Sequence, residues 1–140
     1  MVAFNKFNSF QSELLKGSHR LAAAGDVIKA MLTNTAPVAT NALKADITEI
    51  TAANGYPAGG TDIQNDVTLS GAVGQLTGVD VTWTASGGSF GPFRYIVLYN
   101  DTQTTPAKPL IGWYDYSSSI SVNDTESFTL DYGATVLTLT

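Results

Sequence analysis

The sequence has no cysteine, one histidine and few charges, and each shortage narrows what the chain can do. Without cysteine there is no thiol nucleophile, no zinc–thiolate site and no disulfide. The 140 residues must therefore fold on a hydrophobic core alone. That length suits one domain, which buries roughly 68–70% of its unfolded surface and needs no covalent or metal staple. A cysteine-free chain is compatible with either redox compartment. The lone His19 excludes multi-histidine metal sites and cysteine–histidine dyads. Just after an expected helix stop, it reads as a cap or surface residue rather than a general base.

Charge is equally sparse. Only 14% of residues are charged, and the formal net charge is -5. Lys6, Lys16, Arg20, Lys29, Lys44, Arg94 and Lys108 are scattered, with no two adjacent. A nucleic-acid partner needs a basic patch to displace counterions from phosphates, so none is expected. No apolar run approaches the ~20 residues of a membrane span, and no membrane partner is expected. "MVAFNKFNSF" lacks a basic segment followed by an apolar one, so no signal peptide is expected.

What is present is mostly β. One short helix is expected near the start, with Asn8 and Gln11 at capping-box spacing, a Phe7–Phe10–Leu14 stripe and Gly17 as the stop. From Asp26 the period becomes two. "DVIKAML" reads as a strand ended by "TNTAP", and "NALKADITEI" as a helical turn leading into a strand over 45–50. "NGYPAGG" is a loop. Further strands are expected around 63–70, 78–84, 93–100, 110–116, 120–122, 126–132 and 136–140. Short Thr- and Val-rich strands between turns imply a mainly β fold, a jelly roll or β-sandwich with a short N-terminal helix. The expected organisation is a single domain over 1–140, with an arm and helix at 1–17 and a body at 26–140.

No catalytic, cofactor or metal constellation emerges. Gly87, Gly88 and Gly91 precede Pro92 and a strand, not a helix with a Lys-Ser/Thr pair, so the loop aims a strand rather than cradling phosphate. Asp62, Asp66, Asp101, Asp115, Asp124 and Asp131 fall mostly at strand ends and turns, and "DIQND" lacks EF-hand spacing. Both "NDT" sequons stand where strands end and read as turns.

The aromatics say more. Alternation puts Ile111 and Trp113 on one face and Tyr114 and Tyr116 on the other, and it groups Val79, Val81 and Trp83. Trp83 and Trp113 read as core. In "FRYIVLYN", Ile96 and Leu98 oppose Tyr95, Val97 and Tyr99. Such a strand must be covered on both faces, by the N-terminal helix or by another molecule.

The segments "MLTNTAPVATNALKADITEI", "NGYPAGG", "TWTASGGSFGPFRYIVLYNDT" and "PLIGWYDYSSSISVNDTESFTLDYG" resemble the capsid cement (decoration) proteins of short-tailed phages. The resemblance spans nearly the whole chain from about Phe4 and weakens over 62–78. It implies a jelly-roll virion protein without enzymatic activity or cofactor, on the outer capsid surface. There it would bridge neighbouring major capsid protein subunits, as a homodimer. The family's glycines correspond to Gly55, Gly59, Gly60, Gly87, Gly88, Gly91 and Gly112, read as backbone constraints. Candidate contacts are Phe4, Phe7 and Phe10 of the arm, the "TNTAPVATN" loop, and the outward tyrosines Tyr95, Tyr99, Tyr114 and Tyr116. The alternative is a carbohydrate-binding or tail-associated β-sandwich module, which would need those tyrosines in an open groove. A hydrolase with an acidic pair is a third and weaker reading, because no motif places such a pair.

Overall fold

The computed structural model describes residues 2–139. It is mainly β, with antiparallel sheets and one short helix near the N-terminus, arranged as a sandwich. In chain order the elements are β1 (Phe4–Lys6), α1 (Asn8–Leu15), β2 (Ile28–Thr33), β3 (Thr61–Asp62), β4 (Asp66–Ser70), β5 (Val73–Thr77), β6 (Val81–Thr84), β7 (Phe90–Asn100), β8 (Leu110–Val122), β9 (Ser127–Leu130) and β10 (Leu137–Leu139). A five-stranded sheet runs β1-β8-β7-β2-β3, a three-stranded sheet β10-β5-β4, and β6 pairs with β9.

The long hairpin of β7 and β8 is the spine. Ile96 and Leu98 of β7 enter the main core, together with Ile28, Ala30 and Leu32 of β2. That core closes against Leu76, Trp83, Leu130 and Leu137 from the other two sheets. The intervening Val97 and Tyr99 join Phe7, Met31 and Leu110 in a second cluster on the opposite face. The two-sided strand is therefore covered on both faces by its own chain. Residues 34–60 supply much of the second cover. Ile47 packs on that cluster, and the Lys44 ammonium lies 5.5 Å from the centre of the Tyr99 ring.

Several expectations are corrected. The helix is not capped by Asn8: Phe7 is the N-cap residue, no side chain caps the helix, and the Asn8 amide donates to the Ala39 carbonyl. Gly17 does end the helix, at φ +84. No strand forms over 45–50. Asp46 accepts the amides of Ala42 and Leu43, winding a single 3-10 turn at Lys44–Asp46. Beyond it the Ile50 amide donates to the Leu32 carbonyl of β2 (3.0 Å) without a strand forming. Strands β1, β3 and β5 have no counterpart among the expected strands, and 110–122 is one strand rather than two. Val79 stays exposed because it precedes β6.

In β8, Ile111 is an extra residue between the Leu98–Gly112 and Tyr99–Leu110 pairs. This bulge places Ile111 with Tyr114 in the main core and leaves Leu110 and Trp113 with the second cluster. The strict alternation expected there assumed an unbroken ladder, and a bulge resets it. The glycine loop does aim a strand. Asn54 Nδ2 donates to the Ser89 carbonyl (2.7 Å), and Asp124 accepts the Gly87 amide (3.0 Å). A Cβ on Gly91, at φ +115, would lie 2.8 Å from the Ile120 carbonyl oxygen, so glycine is what lets β7 approach β8 there.

Candidate functional site

The proposed contact residues turn out to be mostly interior. Phe7 and Phe10 are fully buried, and Tyr95, Tyr99 and Tyr114 are 8%, 1% and 3% exposed, so none of these five offers a free ring to a partner. Tyr99 donates its hydroxyl to the Gly59 carbonyl (2.6 Å). The Tyr114 ring meets Phe4 edge-on at 5.2 Å, and Phe4 lies in the notch left by Gly112. Phe4 and Tyr116 are half-buried, and Tyr116 packs edge-on against Phe128. The expectation of outward tyrosines is thus overturned for Tyr95, Tyr99 and Tyr114. Tyr99 is covered from within, by segments whose irregular backbone carries no periodic signal, whereas Tyr114 lies on the opposite face, in the main core beside Phe4 and Tyr132. Trp83 is core, as expected, while Trp113 is half-buried against Phe7 at 4.6 Å.

The titratable groups serve structure. Asp62 and Asp131 accept the amides of Gln64 and Gly133, both at 2.8 Å, which closes turns. Arg94 grips Asp115 with two nitrogens, at 2.8 and 3.1 Å, and Asp101 pairs with Lys29 and Lys108. Among the described residues no three His, Asp or Glu side chains come together as metal ligands. Also among the described residues, no helix is long and apolar enough to cross a membrane.

His19 is not a surface residue; it is 5% exposed. It belongs to a buried polar cluster centred on Asn100. The Asn100 amide nitrogen donates to Asp26 Oδ2 (2.8 Å) and faces His19 Nδ1 (3.2 Å). Its oxygen accepts the amides of Thr102 and Gln103 (3.0 and 3.2 Å), so the first "NDT" is a turn closed by a buried Asn100. Burial alone raises the Asp26 carboxyl, but hydrogen bonds from Asn100, the Arg20 amide and Gln103 outweigh it and hold the group below its ordinary value. Burial pushes the His19 imidazole below its ordinary value, against the opposing pull of the Asp26 and Glu13 carboxylates. This cluster ties the 18–26 segment to the end of β7.

The least satisfied surface lies elsewhere, on the β10-β5-β4 sheet. Its register sets Val67, Leu76 and Leu137 in one row, and Leu69, Gly74 and Leu139 in the next. Alternation puts both rows on one face. The reverse face carries Asp66, Thr68, Gln75, Thr77 and Thr138. Leu76 and Leu137 reach the main core, but the second row projects past it, with Leu69 74% and Leu139 40% exposed. Val67 is 46% exposed. Beneath this face, against Leu14, His19 and Leu21, is an apolar cavity of about 200 Å³, open on one side. The apolar alternation of "DVTLS" and "TVLTLT" was the signal for this surface. Sequence alone does not tell which half of such a sheet overhangs the core.

Comparison with protein-family models, curated proteins and solved structures found no match.

Proposed function

We propose that the protein is a capsid cement protein of a tailed phage. It binds the outer surface of the shell as a homodimer and bridges neighbouring major capsid subunits. The observation that carries this reading is the apolar overhang of the β10-β5-β4 sheet. Exposed apolar area rimmed by polar residues marks a protein contact, and here it lies on a sandwich whose acidic groups are engaged in turns and ion pairs. The resemblance of the sequence to cement proteins gives the partner. The mechanism is multivalent: once one subunit is held, the second contact forms at high effective concentration, with no covalent bond and no catalytic step. The sugar-binding alternative needs stacked aromatic rings on the surface, and Tyr95, Tyr99 and Tyr114 are committed to the interior.

The test is a heat-release assay on phage particles depleted of the protein, replenished with it, and untreated. Depleted shells are expected to assemble but to release DNA at lower temperature, and added protein restores the threshold. Equal release from all three rejects the reading, and loss of host adsorption on depletion favours a tail role.

A further inference from the structure

Asn54 is the only asparagine in the chain that is followed by glycine. The pair forms the centre of a tight turn, at φ +52 and +108, and Ala53 and Tyr56 exchange backbone hydrogen bonds across it (3.2 and 3.0 Å). Asn-Gly suits such a turn because both residues accept positive φ. Both are exposed to solvent. The turn also abuts the end of β6, where a Cβ on Gly55 would lie 2.1 Å from the Thr84 carbonyl oxygen.

Asn54 fastens the glycine loop to this turn. Its carbonyl accepts the Ser86 amide (2.9 Å), and its Nδ2 donates to the Ser89 carbonyl (2.7 Å). A Cβ on Gly88 would be 2.7 Å from that Nδ2, so the loop backbone closes directly on the asparagine amide. One side-chain donor thus holds the entry to β7.

The same residue is chemically labile. A backbone amide nitrogen can attack the side-chain carbonyl carbon of the asparagine before it, and glycine does so most readily because no side chain crowds the approach. The Gly55 amide makes no hydrogen bond among the described residues, so none has to break to free the nucleophile. Asn5, Asn8, Asn34 and Asn123 are exposed too, but each precedes a residue with a side chain.

We propose that Asn54 is a deamidation site whose conversion releases the glycine loop. The Gly55 amide loses its proton to hydroxide, and its nitrogen bonds to Asn54 Cγ. The Cγ–Nδ2 bond breaks, and Nδ2 takes up a proton and leaves as ammonia, giving a cyclic imide. Water then adds to either imide carbonyl and cleaves that carbon from the shared nitrogen, leaving aspartate or isoaspartate. Nothing is oxidised or reduced. Neither product can donate to Ser89, and a carboxylate oxygen faces the carbonyl oxygen instead. Isoaspartate also lengthens the main chain in a turn that has no spare room at Thr84.

The intact protein, incubated in mildly alkaline buffer and followed by peptide mass spectrometry, provides the test. Aspartate and isoaspartate are expected at position 54 well ahead of any other asparagine, at a rate that rises with hydroxide concentration. Asn54→Gln is expected not to convert, because its longer side chain closes an imide far more slowly, and Gln64 at φ +51 already holds glutamine in that conformation. Hydrogen exchange over 86–91 reads the latch. Protection there is expected to fall roughly tenfold with the lost hydrogen bond, both in Asn54→Asp and in converted wild type separated by anion exchange. Conversion at position 54 no faster than at Asn5 or Asn34 overturns the site. Unchanged exchange over 86–91 in the converted protein overturns the latch.

Discussion

Phe7 and Phe10 are three residues apart, yet they pack on opposite faces of the five-stranded sheet. Phe7 lies against Trp113 in the cluster of Met31, Val97 and Tyr99, and Phe10 is in the main core beside His19. The chain reaches both faces by pairing β1 to the outer edge of β8, so that the Phe7 amide donates to the Ile111 carbonyl, and then turning into α1. A two-turn helix is not stable by itself. Its position is set by these two rings.

The N-terminal segment is therefore part of the folded body rather than a free arm. Phe10→Ala is expected to destabilise by about 3–5 kcal/mol, the usual range for a fully buried phenylalanine. In a chain of this size that lowers the melting temperature by roughly 10 °C. Phe7→Ala should cost a comparable amount while perturbing the second cluster, read by Trp113 fluorescence. A change under ~1 kcal/mol in both would return the segment to the role of a detachable arm.

Asn100 is the second fixed point. Asn100→Ala removes a donor from a carboxylate that is 3% exposed, together with the acceptor for two turn amides. Leaving a buried charge short of a hydrogen bond costs about 3 kcal/mol or more. The double variant with Asp26→Asn should recover part of the loss, since the buried charge that lost a donor is then gone. Urea unfolding of the two single variants and the double variant measures the coupling. Strict additivity would mean that Asn100 and Asp26 do not act together.

The mainly β class, the Gly17 helix stop, the glycine loops and the two-sided strand at 93–100 were legible because each rests on a local rule: period, φ demand or missing amide. The contact surface was not. Tyr95, Tyr99 and Tyr114 look outward by alternation, but alternation separates faces without saying which face is solvent. Over Tyr99 the cover comes from Ile47, Lys44 and Phe7, brought there by a 3-10 turn and an edge strand too short to show a period, while Tyr114 faces the main core. The Ile111 bulge then put Ile111 on the face of Tyr114 instead of that of Trp113. Conversely, Leu69 and Leu139 look like ordinary strand interior. Only the stagger of the β10-β5-β4 sheet over the core leaves them uncovered.

His19 makes the fold sensitive to mild acid. The Asn100 amide nitrogen can only donate, so His19 Nδ1 is the acceptor and the neutral ring carries its proton on Nε2, which has no partner. The groups around it are Asp26 and Glu13, which favour the charged ring, while burial opposes it more strongly, and the net shift is downward. A folded value below the unfolded one means the unfolded chain binds the proton first. Stability is then full above the unfolded value of about 6.5, falls as pH drops through it, and levels off below the folded value. Glu13, Asp26, Asp46, Asp101 and Asp115 are also held below their ordinary values, but they lose their contribution only as pH falls from about 4 downward. Between pH 6.5 and 5 the only histidine in the chain should dominate the slope. Melting temperature is expected to decline across that interval in the wild type and to stay flat in His19→Gln, whose amide oxygen can accept from Asn100 without titrating. An equal slope in both proteins would show that His19 does not govern this window.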